Sequence, residues 1–356
     1  MTSGARGATW ASRSIVVVTV IALGVAAGSS ANGAGRSNAA ATVEPKMPGA
    51  LAVSANGTLY VVDVARDQIL RRLTSGQFQV VAGTGRRGFS GDGHQATRAR
   101  IALDENSGLA VGANGTLYFA DSGNGRVRAV APNGVITSVA GGGTTVPGVR
   151  SVRASRVRFA GIDQVNGLAV ARGQLYIAAG GIYRLANGVL HWVVGSTAPA
   201  QNVGFTGYGS NPAHQRDFVP AYNVAVDGRG DLLVGGGNSY SLYERLASGQ
   251  LRFVQGDRAQ GGYYAALASA PGGAVVLTGG ARGLARFEPS GQITSISATS
   301  LTRLLASPSH FTVGDGVAVA PNGDIYLDEV ANNGFSSVSA IARLDPSGRA
   351  VLLWQS

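Results

Sequence analysis

A unit of two hairpins recurs six times from Pro48 to the C-terminus, and nothing else in the sequence constrains the fold as strongly. Its first half is a short apolar strand, a tight turn and a second apolar strand. In the first copy these are Ala50-Leu51-Ala52-Val53, Asn56-Gly57 and Leu59-Tyr60-Val61-Val62. The second copy repeats them nearly letter for letter, as Gly108-Leu109-Ala110-Val111, Asn114-Gly115 and Leu117-Tyr118-Phe119-Ala120. Leu168 to Ile177, Val224 to Val234, a degraded copy from Leu267 to Leu277, and Val317 to Leu327 complete the series. Asn-Gly between apolar strands predicts a type I′ hairpin, whose two central residues both need positive φ.

The second half is another hairpin, turning at Gly76, Gly134, Gly188, Gly249, Gly291 and Gly348, each preceded by Ser or Asn. Four strands per repeat, six repeats and no convincing helix predict an all-β fold. It is a six-bladed β-propeller of four-stranded antiparallel blades over residues 48–356. A blade alone leaves both faces bare, so each must pack on its neighbours. The last repeat carries its own outer strand, Ala350 to Trp354, so the ring is expected to close without a strand from the N-terminus. The 54 glycines fit so many turns, and 45% hydrophobic against 13% charged residues excludes a disordered chain.

Residues 1–31 have the layout of a signal peptide: Arg6 and Arg13, the apolar run Ile15 to Ala27, then Gly28, Ser29, Ser30 and Ala31. Cleavage after Ala27 or Ala31 fits, and an uncleaved membrane anchor is the alternative. Residues 32–47 are small and polar and read as a flexible linker. The chain has no cysteine, which excludes a disulfide, a lipoprotein attachment site and thiolate chemistry.

The formal net charge of +10 is almost all arginine, Lys46 being the single lysine. Such a chain favours polyanions, which outside a cell are wall polymers, acidic polysaccharide or anionic lipid. Nucleic acid is not expected, because no reader motif or stacking ladder accompanies the charge. Arg150, Arg153, Arg156 and Arg158 form a basic patch with no acid between Thr144 and Gly161. Their spacing would put the first three on one face of a short helix.

The strings GLAVGANGTLYFADSGNGRVRAVAPNGVITSVAG (108–141) and VAGTGRRGFSGDGHQATRARI (81–101) resemble bacterial NHL-repeat propellers. That resemblance covers roughly 48–356 and implies a binding scaffold more than an activity. The residues just before the innermost strands could rim the central channel: Gly49, Ser107, Asn166, Tyr222, Ala265 and Asp315. Asn166-Gly167-Leu168 and Asp315-Gly316-Val317 resemble the segments that carry metal ligands in the gluconolactonase and senescence-marker family, and that resemblance implies Ca2+ held by Asn166 and Asp315. The set is incomplete, since blade one lacks a glutamate and blade five offers Ala265.

Other signals are weighed down by ordinary explanations. Gly83-Thr84-Gly85-Arg86-Arg87-Gly88 matches a dinucleotide fingerprint but no βαβ unit surrounds it, so an inter-blade loop is expected. Asp63 and Asp121 end the second strands of their blades and are expected to accept backbone N–H groups. His191 sits in an outer hairpin, whereas His94, His214 and His310 fall in connections where convergence on the channel stays open. The expected function is a binding or interaction scaffold outside the cytoplasm, for a protein or a polyanionic glycan; the alternative is a calcium-dependent lactonase or lyase working at the channel.

Overall fold

The computed structural model describes residues 42–105, 107–148, 151–160, 164–195, 221–236, 241–256, 264–279, 283–297, 299–304, 311–332 and 337–356. The expected signal segment, most of the expected linker, and Asn106, Arg150, His214 and His310 lie outside them.

The described residues form six antiparallel sheets, and each follows chain order from an inner to an outer strand. The inner strands are Pro48–Val53, Leu109–Val111, Gly167–Ala171, Ala221–Val226, Tyr264–Ser269 and Phe311–Val319. The outer strands are Phe78–Ala82, Ile136–Gly141, Val189–Gly195, Leu251–Gly256, Ile293–Ser295 and Ala350–Gln355. This is the expected six-bladed propeller. The degraded fifth repeat still builds a complete four-stranded blade.

Six apolar clusters fill the six gaps between blades. Val62, Ile69, Ile101, Leu109 and Phe119 join blades one and two, and Val127, Phe159, Ile177 and Tyr183 join two and three. Leu51, Val61 and Phe78 pack against Ala318 and Ile341, so the sixth blade meets the first. Each fully buried Leu, Ile or Phe stabilises the fold by about 1.5–3 kcal/mol relative to an exposed one. Around the axis the inner strands touch backbone to backbone. A Cβ on Gly108 would lie 2.8 Å from the Asn166 carbonyl oxygen, one on Gly167 2.7 Å from that of Tyr222, and one on Gly316 2.5 Å from that of Gly49. Glycine is required at these three positions because another blade occupies the place of a side chain.

The turns differ from expectation in blades one, two and six. Gly57, Gly115 and Gly323 have φ between 81° and 87°, but the asparagine before each stays at negative φ. In blade one the Ser54 carbonyl accepts the Gly57 N–H at 2.9 Å, and the Ser54 N–H donates to the Thr58 carbonyl at 3.0 Å. This is a three-residue loop, a type I turn followed by a left-handed glycine, rather than type I′. The asparagine contributes through its side chain instead, since Asn56 Oδ1 accepts the Thr58 N–H and the Ser54 hydroxyl. True type I′ pairs occur in blade three, at Arg172-Gly173 (φ 50° and 73°) and Asn187-Gly188 (φ 50° and 71°).

The connections also do more than expected. Thr42–Val43, at the end of the expected linker, pairs antiparallel with the outer strand of blade one. Val152–Arg153 pairs in the same way with the outer strand of blade three, and Gln95 bridges Val135 on blade two. Three blades thus have the exposed edge of their outer strand covered by the segment that leads into them, which blunts edge-to-edge association. The sixth sheet consists of its own four strands, Phe311–Val319 to Ala350–Gln355. Its connection contributes the one α-helix among the described residues, Thr299–Leu304, whose Ser300 hydroxyl donates to the Gly348 carbonyl at 2.6 Å.

Candidate functional site

The rim residues divide in their roles. Ser107 is fully buried: its hydroxyl accepts the Asp104 N–H at 2.9 Å and lies 3.0 Å from the Ser122 hydroxyl. Ser122 in turn donates to the Val165 carbonyl at 3.4 Å, so Ser107 braces blades two and three rather than facing a ligand. Asn166 and Tyr222 are half-buried, with their carbonyls against Gly108 and Gly167 of the preceding blades. The Asn166 side-chain amide makes no hydrogen bond among the described residues. Asp315 lies on the strand Phe311–Val319.

A rim carboxylate not singled out in the sequence is Asp104, just before Ser107. It is neutralised by Arg87 at 2.6 Å and accepts from Gln164 at 3.0 Å. Arg87 also binds Asp67 at 3.0 Å and the Leu103 carbonyl at 2.7 Å. These acids raise the Arg87 pKa above its ordinary value, chiefly through the Asp104 hydrogen bond.

The described three-acid cluster is Asp227, Asp231 and Glu244, at the turn end of blade four. Arg229 occupies it, 2.8 Å from Asp227 and 3.3 Å from Asp231, and both Arg229 and Arg252 pair with Glu244. It is an ion-pair network with its cation supplied by the chain.

Asp63 and Asp121 play the structural part expected of them. Asp63 accepts the Lys46 and Met47 N–H groups and pairs with Arg66 at 2.9 Å. Asp121 accepts the Ala102 N–H at 2.7 Å and the Asn124 amide at 2.8 Å. Burial pushes its pKa from 3.8 up to about 6, against the pull of these donors and of Arg128. Arg128 is itself fully buried. It donates to the Ser90 carbonyl at 2.9 Å, the Arg100 carbonyl at 3.1 Å and Asp92 at 2.7 Å, and lies 3.5 Å from Asp121. Together Asp121 and Arg128 pin the connection 88–102 onto blade two.

That connection and the next are built alike. Gln95 bridges blade two where Arg153 pairs with blade three. The Ala96 N–H donates to the Gly134 carbonyl at 2.8 Å, and the Ala154 N–H to the Gly188 carbonyl at 2.9 Å. A single 3-10 turn follows in each, Ala96–Arg98 and Ala154–Arg156. Ala96, Ala99 and Ile101, and likewise Ala154, Val157 and Phe159, point into the core. Arg98 and Arg100, and likewise Arg156 and Arg158, are left outside. Arg153 and Arg156 do not share the expected helix face, since Arg153 ends a strand and Arg156 ends a 3-10 turn. The arginines alternate outward because their neighbours are anchored inward. Arg98, Arg100, Arg153, Arg156 and Arg158 are all exposed and have no acid within bonding distance among the described residues.

The sequence signal for this equivalence was present in QATRARI and RASRVRF, each beginning 19 residues after the outer-turn glycine of the preceding hairpin, Gly76 and Gly134. The glycine-rich stretch 83–88 is an inter-blade loop, its Gly83 and Thr84 N–H groups donating to the Ala96 and Ala99 carbonyls. His94 pairs through its backbone with Ile136 on the outer strand of blade two, and His191 lies on the outer strand of blade three beside Ser151 at 2.9 Å. Neither histidine faces the channel.

No family model matches the chain, and no curated protein matches it in sequence. Among solved structures it is similar to a streptogramin B lyase, with a TM-score of 0.51 and 13% identity over 87% of this chain and 83% of that one. Virginiamycin B lyase from Staphylococcus aureus gives 0.50 and 12% over 86% and 83%. A gluconolactonase from Xanthomonas campestris gives 0.52 and 14% over 80% and 83%. The chain shares the six-bladed propeller fold of these lyase- and gluconolactonase-type proteins.

Proposed function

We propose that this is an exported, NHL-type propeller that binds an anionic partner through the connections leading into blades two and three. One observation carries the reading: Arg98, Arg100, Arg153, Arg156 and Arg158 are exposed and unpaired among the described residues, whereas Arg87, Arg128 and Arg229 each engage two or more acids. An exposed guanidinium without a carboxylate keeps its full field and its planar fork of donors for an external anion. Titration of the full chain with polygalacturonate tests it. Affinity should fall steeply as salt rises. Replacing Arg153, Arg156 and Arg158 with Gln should weaken binding by roughly tenfold or more. Unchanged affinity in that variant would dispose of the reading.

A second reading, a calcium-dependent lactonase or lyase, draws on the fold shared with the gluconolactonase and on the Asn166 amide, which no described residue engages. Calcium takes six to eight oxygen ligands. Of the described rim residues, Ser107 and Asp104 are already engaged within the protein, so the ligands of this reading stay Asn166 and Asp315. Thermal melting with millimolar calcium separates the two readings: a rise in Tm that Asn166→Ala abolishes would favour the metal site.

A further inference from the structure

The geometry points to an anionic lipid surface as the partner of the two basic connections, an inference that rests on the polyanion reading and narrows it. Among the described residues the large apolar side chains left exposed are Phe89 and Val146, at 44% and 53%. Each lies beside the unpaired arginines of its own connection. Phe89 sits in a short pairing in which Gly88 donates to the Ile101 carbonyl at 3.2 Å and Ser90 to the Arg100 carbonyl at 3.3 Å. Val146 follows Thr145, whose N–H donates to the Arg156 carbonyl at 2.8 Å and whose carbonyl accepts the Arg158 N–H at 2.7 Å. An exposed apolar residue paired through the neighbouring backbone with a segment that carries exposed arginines thus occurs twice, on adjacent blades.

The loop that carries Phe89 is fixed in place by its neighbours. Arg128 grips the Ser90 and Arg100 carbonyls from below, and Asn124 donates to the Gly88 carbonyl at 2.8 Å. The Arg126 guanidinium covers one face of the Phe89 ring, 3.9 Å from its centroid. The nearby acid is silenced, since Asp92 is held by Arg128 at 2.7 Å and by the Ser138 hydroxyl at 2.6 Å.

The apolar tips decide between polyanions. A hydrophilic polymer would use the arginines and leave Phe89 and Val146 in water. A sugar ring can stack on an aromatic face, but Val146 has none to offer. A bilayer interface accepts both, with guanidinium groups at phosphate level and small apolar tips in the headgroup–acyl boundary. Two such points on adjacent blades would raise avidity for a surface that reaches both.

Co-sedimentation of the full chain tests this with vesicles of phosphatidylglycerol mixed into phosphatidylcholine, with pure phosphatidylcholine vesicles, and with polygalacturonate in parallel. Binding is expected to the anionic vesicles and not to the zwitterionic ones. The double variant Phe89→Ser, Val146→Ser should lose roughly tenfold in vesicle partitioning while keeping its affinity for polygalacturonate. The variant with Arg98, Arg100, Arg156 and Arg158 all changed to Gln should lose both. Anionic-vesicle binding that neither variant weakens would overturn the inference, because another part of the chain would then carry it. Polygalacturonate binding without vesicle binding would overturn it too, and would leave the polyanion reading standing. Loss of every interaction in the wild-type chain would remove both.

Discussion

The interior of blade two and the connection that crosses it use arginine to opposite ends. Arg128 is fully buried and meets two carboxylates and two backbone carbonyls. Arg100, whose carbonyl Arg128 grips, sends its own side chain into solvent with no acid partner among the described residues. At the turn end of blade four the burial is reversed, since Asp227, Asp231 and Glu244 are buried and the partly exposed Arg229 covers them. A buried guanidinium is tolerated when acceptors surround it, because its desolvation is offset only by close charges and hydrogen bonds. The acids of these blades stand at such positions, and the stretch from Thr144 to Gly161 has none. The difference separates arginines that hold the ring together from arginines available to a partner.

The largest test of that separation is Arg128→Met. It keeps an apolar stem of similar length but leaves Asp121 buried without its cation and strands the Ser90 and Arg100 carbonyls. Breaking a buried pair in this way costs about 3–5 kcal/mol. Urea unfolding followed by circular dichroism reads it directly, and a loss under about 1 kcal/mol would mean that Arg128 is no strut.

Asp121 sharpens the same comparison through pH. Its folded pKa stands at about 6 against an ordinary 3.8, with burial the main cause. The folded state therefore binds this proton at higher pH than the unfolded chain does, and stability from this group rises as pH falls from 6 toward 4. The gain is complete below the unfolded value and absent above the folded one. Asp121→Asn cannot titrate, so wild-type stability minus that of the variant should grow by about 1–3 kcal/mol between pH 7 and pH 4. A difference that stays flat or shrinks over this window would show that the carboxylate is not strained by burial.

The architecture was legible because the propeller states itself repeatedly: six hairpin pairs with a glycine at each outer turn leave few other folds. The site was less legible, for physical reasons. Asn-Gly predicts type I′ geometry from two residues alone, yet Ser54 and Thr58 close a three-residue loop in which Asn56 works through its side chain. The edge pairing by Thr42–Val43, Gln95 and Val152–Arg153 depends on a partner strand brought close by the ring, so no local pattern marks it. Ser107 read as a rim residue by its position, but the turn from Asp104 folds its hydroxyl inward. The basic patch was visible as charge, while its geometry came from the buried Ala154, Val157 and Phe159 between the arginines.

The smallest expected effect is the most discriminating. Changing Arg98, Arg100, Arg156 and Arg158 together to Gln should alter folding stability by no more than about 0.5 kcal/mol, since exposed side chains without partners contribute little. Glutamine keeps part of the aliphatic stem, so packing along the connection is nearly preserved. Removing like charges from one region also relieves repulsion at low salt, so the variant should be at least as stable as the wild type there, with the two converging as salt rises. Urea midpoints at two salt concentrations read both expectations. A loss of more than about 1 kcal/mol would place these arginines with Arg128 among the structural ones. The surface assigned to an anionic partner would then be part of the scaffold.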